Sequence, residues 1–169
     1  MKSEHFEALI NFISEEINFE EFLDRYPVDP RKDEDHVYDL LRSGIEKRDS
    51  DEVEAALIVG HRFDKFTSNC VPLLNELITA DWHISHEDIA EALRVLRDPR
   101  STDALYEAAL LQFDYMGGDE NALGKKCCWA LGAIDTADAE EKLYRLAHSV
   151  NIAIAEAARY ELGRKGSST

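Results

Sequence analysis

The side chains able to do chemistry are scattered along this chain, and their spacings withhold most of the chemistry they could support. His83 and His86, within Trp82-His83-Ile84-Ser85-His86-Glu87-Asp88, stand at an interval a metal can use. Zinc needs three or four fixed donors, and no third accompanies them; the segment has the makeup of a loop and helix cap, so capping or surface roles and no metal are expected. Gly118 to Gly124-Lys125-Lys126 resembles a phosphate loop only superficially: five residues separate the glycines where four are required, no Ser or Thr follows the lysines, and no strand precedes. Cys127 and Cys128 lack a histidine at a motif spacing. Neighbours on a helix point about 100° apart, so with Cys70 they are expected to pack as reduced, small hydrophobes. Carboxylates abound, yet nothing singles out one pair for acid–base work. No enzyme, cofactor or metal is expected.

A different use of residue types appears once an internal repeat is recognised. Ala92-Leu93, Asp98-Pro99-Arg100, Leu105-Tyr106 and Ala109 find counterparts 38 residues later in Ala130-Leu131-Gly132-Ala133-Ile134, Leu143-Tyr144 and Ala147. Ala157 to Gly163 forms a third, partial copy, 31 residues on if Leu131 matches Leu162; an insertion over Phe113 to Asp119 accounts for the difference of seven. Setting Leu93, Leu131 and Leu162 as equivalent buried positions places Glu91, Trp129 and Tyr160 about 200° round their helices from the core. An acid, an indole and a phenol in one stripe suit a protein interface, with aromatic anchors beside a charge that can meet Lys or Arg. Glu87, Lys125 and Glu156 stand one turn earlier. Two accounts of the stripe remain: a partner-binding surface, or Trp129 covering a gap between hairpins and Tyr160 capping the last one. The insertion, with Asp114-Tyr115-Met116 before Gly117-Gly118, is a second candidate for partner binding or simply a longer connection.

The elements that must carry these residues are all helical. Phe6, Leu9, Ile10, Ile13 and Ile17 fall at helical spacing, Asn18 caps a second helix that Pro27 stops, and Val37, Leu40, Leu41 and Ile45 stripe a third. Ser50-Asp51-Glu52-Val53 opens a fourth as a capping box. Further helices are expected over 69–80, 85–97, 102–111, 120–134, 137–148 and 150–163, with 164–169 a frayed tail. No segment alternates long enough to propose a strand. One domain is expected, with 1–48 an acidic helical cap and 51–163 the repeats.

Composition bounds the partners. The net charge is −16 over 169 residues, with 17 acids against 7 bases in 1–54 and 18 against 12 in the remainder. Such a field repels nucleic acid and anionic lipid, and speeds encounter with a basic partner. No apolar run reaches membrane-span length, and the acidic start is unlike a secretory signal, so a soluble cytoplasmic protein is expected.

Asp98-Pro99-Arg100-Ser101-Thr102-Asp103-Ala104-Leu105-Tyr106-Glu107-Ala108, with the helix endings Ala130-Leu131-Gly132-Ala133-Ile134-Asp135 and Glu161-Leu162-Gly163, resembles a HEAT repeat of the short bacterial form named after phycobilisome lyases. The likeness covers about residues 51–163 and is best over 89–163. It implies an all-α fold, a short right-handed superhelix of helical hairpins (an α-solenoid), whose work is holding another macromolecule. Lyase activity does not transfer, since no chromophore-handling residues are identifiable. Size, acidity and repeats also resemble bacterial immunity proteins, including those of contact-dependent growth inhibition. That likeness implies neutralisation of a basic nuclease toxin by occlusion; an adaptor or assembly chaperone is the alternative.

Overall fold

The computed structural model describes residues 1–116 and 121–166, and among these every regular element is helical. Gly117, Gly118 and Asp119 of the insertion, Glu120 at the expected start of a helix, and Ser167 to Thr169 of the tail lie outside the described residues. No described helix is long and apolar enough to cross a membrane. The chain divides into two compact units, Met1–Cys70 and Val71–Thr169.

The first unit holds α1 (Ser3–Ile13), α2 (Phe19–Arg25), α3 (His36–Lys47) and α4 (Ser50–Phe63). Asn18 starts α2 as expected: its side chain accepts from the Glu20 and Glu21 amides, and Glu21 accepts the Asn18 amide at 2.9 Å. At α4 the cap is Asp49, not Ser50, because the Asp49 carboxylate accepts the amides of Asp51 and Glu52, each at 3.1 Å. Arg48 takes the left-handed turn (φ 51°) that ends α3 one residue before that cap. α1 packs on α2 and α4, and α3 on α4, around buried Leu9, Phe22, Leu41 and Val53. Phe12 stacks on Phe22 with centroids 4.8 Å apart, and Phe22 on Tyr26 at 4.6 Å.

The second unit is built of α5 (Val71–Leu77), α6 (His86–Leu96), α7 (Thr102–Ala108), α8 (Ala122–Ile134), α9 (Ala137–Leu146) and α10 (Ile152–Gly166). α8 packs between α6 and α10, while α7 packs against both α5 and α9, and α5·α6, α7·α8, α8·α9 and α9·α10 also meet. Two rows of helices thus face one another across an apolar seam of fully buried Leu74, Leu93, Leu105, Leu131 and Leu143.

The 38-residue repeat is visible in the backbone. Arg97 and Asp135 end α6 and α8 in the same left-handed conformation (φ 52° and 57°). Immediately after them, Asp98 and Thr136 each cap the succeeding helical segment, accepting the Arg100 and Ala139 amides. The third copy is less regular. Leu162 is only half-buried, and the adjacent Glu161 is the residue turned inward. Several expected boundaries move: α5 spans Val71–Leu77 rather than 69–80, and α7 stops at Ala108 rather than 111. α10 begins at Ile152 and continues through Gly166, so 164–166 belong to a helix and not to the tail.

Candidate functional site

The C-terminal parts of α6, α8 and α10 border an open cleft of about 800 Å³. The seam explains its position. Leu93 and Leu131 point into the core with no exposure, so residues two positions earlier emerge on the other side of their helices. Glu91 and Trp129 accordingly line one cleft, and Tyr160 joins them from α10 although Leu162, two positions on, is only half-buried; 38 and 31 residues separate the three in sequence. Trp129 is 41% and Tyr160 64% exposed, large values for aromatic side chains beside a buried core.

The charges in this cleft are not those the stripe alone predicts. Glu91 does not stand free for a partner's cation, since Arg94 one turn on grips it with bonds of 2.8 and 2.5 Å. Arg94 also feels Glu161 across the cleft floor, and both acids hold its guanidinium in the charged form. Glu161 is only 3% exposed and pairs with Arg164 at 3.1 Å. Its carboxylate fits because residue 132 is glycine: a Cβ there would stand 2.8 Å from Glu161 Cδ and closer still to Oε2. Arg97 and Asp135, the two left-handed helix ends, complete the charged rim. Among the described residues three arginines thus balance three acids, within a chain whose net charge is −16. The arginines fall outside the stripe because it holds only one position per repeat. The (i,i+3) pairs Glu91–Arg94 and Glu161–Arg164 were the sequence signal that could have found two of them.

The other predicted residues lie elsewhere. Glu87 pairs with Lys126 at 3.0 Å, Lys125 is half-buried on α8, and Glu156 is exposed on α10; none lines the cleft. Asp114 is exposed in the short 3₁₀ turn Asp114–Met116. Tyr115 is anchored instead of free, because its hydroxyl donates to His86 Nδ1 at 2.6 Å and its ring stacks with Phe113 and His86.

The two histidines are interior, not surface, residues. His83 Nε2–H donates to Leu77 O at 2.9 Å while its Nδ1 accepts the Ser85 amide; His86 Nε2–H donates to Ala80 O at 2.7 Å. They close off carbonyls at the C-terminal end of α5 and just beyond, a capping role exercised by buried rings. Both rings are 3% exposed or less, and burial lowers their pKa, that of His86 to about 4. No group of three or more potential metal donors occurs among the described residues. All three cysteines are buried, and burial raises the Cys128 thiol to about 12 and Cys127 well above its usual range, so neither is a ready nucleophile. Gly124 lies inside α8, where a Cβ would come within 2.8 Å of Ile154 side-chain carbons, so its smallness serves helix packing. No family model, curated protein or solved structure matches this chain.

Proposed function

We propose that this protein is a HEAT-like binding module, a short right-handed superhelix of hairpins that works in the cytoplasm as an immunity protein against a basic, nuclease-type toxin. The observation that carries the reading is the convergence of Trp129, Tyr160 and Glu91 on one open cleft from three separate helices. Exposed aromatic anchors cost the free protein apolar surface in water, and a partner that covers them recovers it. The acidic exterior steers a basic partner and repels nucleic acid, while the charge-balanced cleft supplies anchorage more than steering. Inhibition follows by occlusion: the toxin surface that would hold RNA or DNA is covered by a negatively charged body.

Co-expression with basic nuclease toxins, starting with any encoded beside it, tests this. The wild-type chain prevents killing, and Trp129→Ala with Tyr160→Ala weakens the complex by about 2 kcal/mol or more and lowers protection. Association slows markedly from low to physiological salt. Full protection and undiminished affinity in the double variant would remove the cleft from the mechanism. The balanced charges of the cleft favour a second reading, an adaptor that holds a partner without inhibiting it. In that case the partner binds through the same aromatics, yet keeps its activity in the complex.

A further inference from the structure

Among the described residues, six charged side chains border the cleft, and five of them are already engaged. Glu91 holds Arg94, Glu161 holds Arg164, and Asp135 interacts within the chain. Arg97 is exposed, and among the described residues its guanidinium meets no partner. Among the described residues, the cleft therefore offers one guanidinium with no partner of its own next to two exposed aromatic rings, on a protein that is otherwise strongly negative.

We infer that the cleft seats a segment of the partner protein through an aspartate or glutamate side chain that pairs with Arg97, while apolar residues of that segment lie against Trp129 and Tyr160. This rests on the cleft being the partner-binding surface, and it names what that surface recognises. A guanidinium presents two parallel N–H donors that match one carboxylate. One free cation suits one negative charge. A nucleotide or nucleic-acid backbone brings several, and Glu91 and Asp135 would repel the rest. The cleft crosses three neighbouring helices spaced about 8–10 Å apart, so a chain laid across it spans about 16–20 Å. The carboxylate so assigned belongs to an internal side chain and not to a chain terminus. A partner that is basic overall is compatible with this, because steering depends on net charge while the cleft reads a single residue.

The full chain carrying Trp82→Phe leaves Trp129 as the sole indole reporter. It is titrated with pools of acetylated, amidated peptides of about nine residues, randomised except for a central Glu, Gln or Lys. A fourth pool has the Gln centre and a free C-terminal carboxylate. The Glu pool is expected to move Trp129 fluorescence at about tenfold lower concentration than the Gln or Lys pools. Arg97→Asp reproduces the residue found at the equivalent helix end, Asp135, and aspartate tolerates the left-handed backbone there (φ 52°). With its thermal midpoint held, that variant reverses the order and favours the Lys pool. Equal responses to the Glu, Gln and Lys pools, or an order unchanged by Arg97→Asp, overturn the inference and leave the cleft as a binding surface. A free-carboxylate pool that matches the Glu pool overturns the side-chain assignment. If no pool moves Trp129, the cleft is not a peptide surface, and the proposed function falls with the inference.

Discussion

Replacing Gly132 by alanine sets helix propensity against space, and Gly163→Ala serves as its control. Both glycines lie in helices, α8 and α10. A Cβ at Gly163 would meet nothing within 4 Å, so that substitution is expected to stabilise by about 1 kcal/mol through propensity alone. At Gly132 the same gain meets the Glu161 side chain, whose Cδ and Cγ would lie 2.8 and 3.0 Å from the new methyl. Glu161 is 3% exposed, so to make room it must swing out toward the cleft and give up its seat beside Arg164. Overpacking of this kind costs about 1–3 kcal/mol. The net expectation for Gly132→Ala is a loss of up to about 2 kcal/mol, which separates the two variants by about 1–3 kcal/mol. In a chain of this size that is a difference of several degrees in melting temperature, readable by circular dichroism in thermal and urea melts. On a Glu161→Ala background the obstacle is gone, and Gly132→Ala is expected to become stabilising. If Gly132→Ala matches Gly163→Ala while Glu161 is present, the buried carboxylate does not rest on Gly132 and the account of the cleft floor is wrong.

The buried His86 gives a pH dependence of defined sign. Burial holds its pKa near 4 in the folded chain against 6.5 when solvated, so the unfolded state binds the extra proton first. Its contribution is present above about pH 6.5 and is lost as pH falls toward 4, by up to about 3 kcal/mol. Nitrogen-15 NMR of the imidazole is expected to show a neutral Nε2–H ring at pH 5.5; a titration midpoint at or above 6.5 would contradict the buried stack. The cysteines are expected to resist a thiol reagent in the native protein and to react together only on unfolding; rapid modification of Cys127 or Cys128 under native conditions would show that the α8 seam opens.

Much of the helical fabric was legible from local chemistry. Asn18 and Pro27 delimit α2, and the 38-residue echo of Leu93 and Leu105 in Leu131 and Leu143 locates the seam, because burial at a helical period leaves its mark in residue type. The placement of Glu91 and Trp129 followed from the same periodicity, since the position opposite a buried leucine must face outward, whereas Tyr160 shares their cleft although Leu162 is only half-buried. Local pattern could not decide between near-equivalent caps, as at Asp49 and Ser50, where backbone geometry chose the aspartate. Nor could it place His83 and His86, whose rings went inside because carbonyls near the end of α5, reached only in three dimensions, needed donors. The charge of the cleft was likewise a tertiary decision. Sequence sets how many acids and bases the chain carries, but which of them neutralise one another depends on distances between α6, α8 and α10. Only those distances pair Glu91 and Glu161 with arginines and leave Arg97, among the described residues, with no side chain bonded to it.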